Sequence, residues 1–217
     1  VAPADALIRL RADTDPAAAV AMVGTGRTAL GVLAEAALTD EDVVVITGAA
    51  GGLGTLLVQA ARHAGATVIG LAGGADKVAR VRSLGADVAI DYRREGWAAE
   101  LSDQLGDEQP TLLLDGVGGA AARSAFELLR PGGRAVLFGY SSGTPLPLSA
   151  EDLFVCGVAA SAAIGPRMFN RPGGIHALAV QAVGELEAGR LTPVVHPAFP
   201  LADAAGAHRA LEHRATI

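Results

Sequence analysis

Apolar positions along this chain follow two alternating rhythms. Short unbroken runs read as strands: Val43–Thr47, Thr67–Ala72, Val88–Asp91, Thr111–Asp115 and Arg134–Gly139. Between them, Leu53–Ala64, Ala75–Leu84, Trp97–Leu105 and Ala121–Leu129 carry apolar residues at helical spacing. The first three stop at Gly65, Gly85 and Gly106, the last at Pro131-Gly-Gly133. Strands that are apolar throughout are covered by helices on both faces. Strand–helix alternation with right-handed crossovers predicts an α/β fold with a doubly wound parallel sheet. A sixth strand at Val158–Ile164 makes the sheet six-stranded, a Rossmann arrangement.

The flanks are less regular. Residues 1–11 read as a connector. Asp15 caps a helix with Pro16 at its first position, running from Ala17 to about Ala36 and loosened at Gly24-Thr-Gly26. A glycine inside a helix costs roughly 1 kcal/mol relative to alanine, so this pair is expected to serve a close approach of backbone or ligand. Beyond Gly139 come a loop to Pro147, a short helix capped by Ser149 with Asp152 at the capping-box position, and a Pro/Gly loop from Gly165 to Gly174. An amphipathic helix over Ile175–Ala188 and a last helix over Leu201–His213 complete the chain.

Composition narrows the picture. Aromatics are only 4%, so the core must be built from Ala, Val and Leu. The net charge of −6, with no dense Lys/Arg run, argues against a nucleic-acid partner. The single cysteine, Cys156, makes no internal disulfide and no C-x-x-C zinc site. No apolar run reaches membrane-spanning length and no signal pattern opens the chain, so the expectation is a cytoplasmic protein with no membrane partner.

The densest chemistry lies where the first strand meets the next helix, at Thr47-Gly-Ala-Ala-Gly-Gly-Leu-Gly54. Gly51, Gly52, Leu53 and Gly54 leave a helix N-terminus bare, where its N–H groups and dipole favour a phosphate. Against the G-x-G-x-x-G fingerprint, Ala49 replaces the first glycine, while Gly51 and Gly54 hold the third and sixth places. The second strand ends Gly70-Leu-Ala-Gly-Gly-Ala75 without the acid that would bind ribose hydroxyls, which leans toward a 2′-phosphorylated dinucleotide. Lys77 follows in the next helix, and Tyr92-Arg93-Arg94 offers an aromatic face and two cations. The competing reading is a solvated helix residue and a solvated turn. Asp115 ends a strand at the carboxyl edge before Gly116-Val-Gly-Gly119, either as a ligand contact or as an Asx turn.

Other chemistries find little support. The glycine turn also fits short-chain dehydrogenases, but their Tyr–Lys pair is missing: four residues beyond Tyr92 and Tyr140 stand Gly96 and Thr144. Ser141 and Ser142 lack a G-x-S-x-G elbow. The five histidines read as surface or loop residues.

Taken in order, Gly26-Arg-Thr-Ala-Leu-Gly31, Thr47–Gly54, Leu84-Gly-Ala-Asp87, Ile90–Arg93, Asp115–Gly119, Leu129–Arg134, Phe138-Gly139 and Phe199–Ala205 resemble the cofactor-binding half of medium-chain dehydrogenase/reductases. The branch is the zinc-independent quinone oxidoreductases. The resemblance implies NADP(H) as cofactor, a small-molecule substrate, and hydride transfer to a quinone or an activated alkene or carbonyl. It implies Thr28 near the nicotinamide, the Gly51–Gly54 turn on the pyrophosphate, and Lys77, Tyr92 and Arg214 on the 2′-phosphate. The loop after Gly139, with Tyr140, and Ile164 would line the nicotinamide pocket, and the sixth strand would pair across a homodimer.

By this resemblance, residues 1–14 are a connector and 15–190 the NADP-binding domain. Residues 191–217 are a short C-terminal remnant of a GroES-like catalytic domain, whose main part would precede this chain. No metal ligand and no catalytic residue is assigned. The alternative reading is a non-catalytic nucleotide-binding module, a sensor or scaffold subunit or a fragment.

Overall fold

The computed structural model describes residues 3–213. In chain order the regular elements begin with α1 (Pro16–Ala21), a π-helical turn (Met22–Gly26) and α2 (Arg27–Ala36). The first half of the sheet follows as β1 (Val43–Thr47), α3 (Gly52–His63), β2 (Thr67–Ala72), α4 (Ala75–Ser83) and β3 (Val88–Asp91). The second half runs α5 (Trp97–Leu105), β4 (Leu112–Asp115), α6 (Gly119–Glu127), β5 (Arg134–Leu137), α7 (Ala150–Cys156) and β6 (Ala159–Ala162). Then come α8 (Pro166–Phe169), α9 (Gly174–Glu187) and α10 (Ala204–Glu212).

All six strands are parallel in the order β3-β2-β1-β4-β5-β6. Successive strands move outward from β1 to β3, and the chain then crosses back to lay β4 on the other side of β1. The connections above β1 and β4 therefore diverge and open a crevice at the carboxyl edge, the place where ligands bind in such sheets.

The side-chain alternation of β1 shows why both faces are covered. Val44 and Ile46 join one core with Leu56, Leu57 and Val58 of α3, Val32 of α2 and Ala182 of α9. Val43 and Val45 join the other with Leu101 of α5 and Phe126 of α6. Small residues let the layers close: Gly70 in β2 has no side chain because Val81 of α4 fills that space.

The expected elements are present with altered ends. β6 is shorter than Val158–Ile164, β5 stops at Leu137, and α6 begins at Gly119. The Gly165–Gly174 segment is not all loop: Pro166 starts a helical turn whose Met168 is buried. The last helix opens as a 3-10 turn over Leu201–Asp203, with Asp203 accepting from Gly206 N.

One expectation is corrected. The continuous helical run Pro16–Ala36 is 21 residues long and apolar enough, by length and composition, to cross a membrane. The sequence pattern gives one helix over Ala17 to about Ala36, loosened at Gly24-Thr-Gly26, and the polar Thr25, Arg27 and Thr28 interrupt its apolar residues. In the fold, Met22, Ala29, Val32 and Ala36 of this run are core residues.

At the amino edge of the sheet, Arg134 of β5 makes a two-pronged bond to Asp42, Nη1–Oδ1 2.9 Å and Nη2–Oδ2 2.7 Å. Its Nε donates to Ala36 O, which satisfies a carbonyl at the C-terminus of α2 beside the left-handed Ala37. Thr111 Oγ1 donates to Asp42 Oδ1 and Thr39 N to Oδ2. Burial alone would raise the Asp42 pKa, but these donors overcome it and hold the carboxyl well below the usual carboxylate range. Its stabilisation is thus present at neutral pH and fades as pH falls below about 4. Asp42→Asn is expected to cost roughly 2 kcal/mol at pH 7. Urea unfolding should show the gap to the unaltered chain narrowing at pH 3.

Candidate functional site

The carboxyl edge holds a groove of about 1030 Å³. Its floor is the turn between β1 and α3. Gly48 adopts φ +60° and its carbonyl accepts from Gly51 N, which closes the turn. Gly51 caps α3 with no side-chain hydrogen bond, so the first-turn N–H groups are not covered by a capping side chain. The glycines have different duties. A Cβ on Gly54 would collide with Gly48 O and stand 2.6 Å from Ala49 Cα, so Gly54 lets α3 pack onto the strand end. A Cβ on Gly52 would meet only the Thr25 methyl, at 3.6 Å, so Gly52 faces open space. Ala49 is wholly buried and its N–H donates to Leu71 O. The missing first glycine is therefore a packed alanine that ties the turn to β2.

A second wall lies at the end of β2, where Gly73 and Gly74 lead into α4. Gly74 has φ +103°, and Arg93 occupies the space a side chain there would need. The Arg93 Cδ and Nε and the Tyr92 hydroxyl all lie 3.3 Å from the Cβ position of Gly73. Arg93 N donates to Asp91 Oδ1 at 3.0 Å, and its Nε lies 3.7 Å from the same oxygen. Burial pushes the Asp91 pKa up, but the N–H groups of Arg93 and Gly74 and the Arg93 charge bring it below its ordinary value. Asp91 thus ties β3 to the Gly73–Gly74 loop and aims Arg93 across it. Lys77 lines the groove on the same side, and so does Asp76. The run Gly70–Ala75 is acid-free as read; Asp76, the next residue, stands exposed in the first turn of α4.

The third wall joins two loops. Asp115 does not line the groove; it is wholly buried. Its Oδ1 accepts from Thr47 Oγ1 at 2.6 Å and from the N–H groups of Val117 and Gly118. Of the two readings left open for Asp115, the geometry shows the Asx-type turn built by its carboxylate. Thr47 Oγ1 in turn accepts from Gly116 N, which links β1 to β4 at the switch point. Ser141 N and Ser142 N donate to the carbonyls of Gly116 and Val117, so the loop after β5 is laced to the turn after β4. The Phe138 ring covers the bare α-carbon of Gly116.

The groove therefore gathers Gly51, Gly52, Leu53, Gly54, Lys77, Tyr92, Arg93, Gly139 and Tyr140 of the sequence-derived set. Thr28 is outside its lining, with Oγ1 donating to Gly24 O at 3.0 Å. Ile164 follows β6, 40% exposed and also outside the lining. Arg214 lies outside the described residues. Leu211 and His213 line the groove unannounced by any motif; His213 Nδ1 is bonded to Arg209 O at 2.7 Å. A terminal helix returning over a distant strand edge leaves no local signal in the sequence.

Comparison with known proteins agrees with this architecture. The zinc-binding dehydrogenase family matches residues 52–173. A 2-haloacrylate reductase from Burkholderia sp. is 32% identical over 186 residues, covering 81% of this chain and 54% of that protein. A quinone oxidoreductase from Sus scrofa is 27% identical over 185 residues, covering 85% of this chain and 55% of that protein. The crystal structure of Escherichia coli quinone oxidoreductase complexed with NADPH superposes with a TM-score of 0.83 at 26% identity, covering 95% of this chain and 65% of that one. The chain spans about half the length of the curated relatives it matches.

The name of this family raises zinc. Among the described residues no three His, Cys, Asp or Glu side chains come together to hold a metal, and Cys156 is the chain's single cysteine. The described residues thus offer no zinc site.

Proposed function

The chain belongs to the medium-chain dehydrogenase/reductase superfamily, in its zinc-independent quinone oxidoreductase branch, and from that premise we propose that it binds NADP(H) for reduction of a quinone or an activated alkene or carbonyl. The observation that carries this reading is the groove: an uncapped glycine helix start on one side, and Lys77, Tyr92 and Arg93 around the Gly73–Gly74 loop on the other. First-turn N–H groups of α3 suit a pyrophosphate. Arg93 and Lys77 suit a 2′-phosphate, the tyrosine face an adenine. The loop Gly139–Ser141, laced to Gly116 and Val117, would seat the nicotinamide end. The bound cofactor supplies the hydride; these residues supply position and charge. No proton donor is assigned among the described residues.

Isothermal titration with NADPH and NADH tests the cofactor. The unaltered chain should prefer NADPH, and Lys77→Ala should weaken NADPH about tenfold while leaving NADH nearly unchanged. Equal losses would remove Lys77 from the 2′-phosphate, and a preference for NADH would point to Asp76 on ribose hydroxyls instead. Consumption of NADPH with a simple quinone, with and without a separately supplied catalytic half, separates an enzyme from a binding module. We also read the edge strand β6 as a homodimer contact. It is largely exposed, and Phe154 and Val155 of α7 are 89% and 76% exposed. Sedimentation equilibrium with Ala160→Pro tests it.

A further inference from the structure

We propose that Thr47 and Asp115 are positioning residues for the nicotinamide end of the groove, acting through the loops they hold rather than by touching the ligand; this rests on the dinucleotide reading above. Lys77 and Arg93 stand on the β2–β3 side, so the rest of a bound dinucleotide runs toward the ends of β4 and β5. Gly116, Val117, Gly139, Tyr140 and Ser141 line the groove there. That wall is made of loops, and a loop keeps one shape only where its backbone is tied down.

It hangs on one hydroxyl and one carboxylate, both buried. Thr47 Oγ1, at the end of β1, donates to Asp115 Oδ1 at 2.6 Å and accepts from Gly116 N at 3.0 Å. The same Oδ1 accepts from Val117 N at 3.0 Å and Gly118 N at 3.1 Å. In a trans peptide the N–H and the preceding C=O lie in one plane and point opposite ways. Val117 N shares its plane with Gly116 O, and Gly118 N with Val117 O. Holding the two N–H groups inward therefore aims the two carbonyls outward. Those carbonyls are the ones that hold the loop after β5, accepting from Ser141 N at 3.2 Å and Ser142 N at 2.9 Å. Val117 also reaches back, its Cγ2 lying 3.2 Å from the Cβ position of Gly48 in the turn between β1 and α3. One hydroxyl thus sets the orientation of three strand ends, those of β1, β4 and β5.

The test is isothermal titration on the full chain with NADPH and with 2′,5′-ADP, which has the adenosine end and no nicotinamide. Thr47→Val keeps the shape and removes both donor and acceptor. It should weaken NADPH about tenfold and change 2′,5′-ADP by less than about twofold. Thr47→Ser, which keeps the hydroxyl, should restore most of the affinity. With no nucleotide present, amide hydrogen exchange at Val117, Gly118, Ser141 and Ser142 should quicken about tenfold in Thr47→Val, with the α3 amides unchanged. Unaltered NADPH affinity, an equal loss of 2′,5′-ADP, or no rescue by Thr47→Ser would overturn the assignment. Should Thr47→Val fail to fold, Asp115→Asn keeps an acceptor oxygen and removes the charge; the same split between the two ligands supports the proposal, and parallel changes refute it. Absence of NADPH binding by the unaltered chain would overturn the dinucleotide reading itself, and the exchange rates then still decide whether Thr47 orders this wall.

Discussion

Gly52→Val should leave the fold standing and reduce affinity for NADPH and NADH alike by at least about a hundredfold. Gly52 opens α3 with a backbone any residue adopts, and its missing side chain would meet only the Thr25 methyl at 3.6 Å. A valine there gives up no packing, and its branches project into the groove over the helix N-terminus. The loss comes from phosphate oxygens held away from the first-turn N–H groups. Two charge-assisted hydrogen bonds at about 1.5–3 kcal/mol each account for the size. Titration calorimetry gives the affinity and circular dichroism checks the fold. Retained binding of both cofactors would mean the turn is only structural.

Gly54→Val is expected to do the opposite, acting on the fold before the ligand. Its Cβ would overlap Gly48 O and crowd the backbone of Ala49, none of which can swing aside as a flexible side chain would. Either α3 moves off the sheet or the β1 turn opens. Helix–sheet contacts through Leu56, Leu57 and Val58 would suffer in both cases. Overpacking against backbone costs about 3 kcal/mol or more, a large share of a typical domain's stability. Urea denaturation should show a clearly lowered midpoint without added nucleotide. A Gly54→Val chain as stable as the original would show that the helix start can shift freely.

The contrast between these two glycines marks the limit of the motif. Both are Gly in the same run, and a spacing rule treats them alike. Position in three dimensions makes Gly54 a packing requirement and Gly52 a binding one.

Much of the framework was legible because its causes are local. Unbroken apolar runs, glycine stops with positive φ at Gly65, Gly85 and Gly106, the Asp15 cap with Pro16, and the Ser149–Asp152 capping box are short-range devices, and each stands where the sequence placed it. The groove's glycines, Lys77 and the Tyr92-Arg93 pair were legible too, since the strand ends that carry them share one sheet edge.

What escaped depends on contacts between distant segments. Arg134 and Asp42 are 92 positions apart, and nothing local announces their pairing. The sequence left Asp115 open between a ligand contact and an Asx turn, and its bond from Thr47, 68 positions earlier, has no local signal. His213 arrives in the groove from the far end of the chain.

By itself, then, the sequence determined the strand and helix alternation, the parallel sheet and the phosphate-friendly turn, because period, cap and glycine stop act within a few residues. The tertiary structure alone decided which glycine of that turn is open and which carboxylate is buried. Those outcomes turn on the approach of α3 to β1, of β4 to β1, and of the π turn to Gly52, distances set by packing across the whole core.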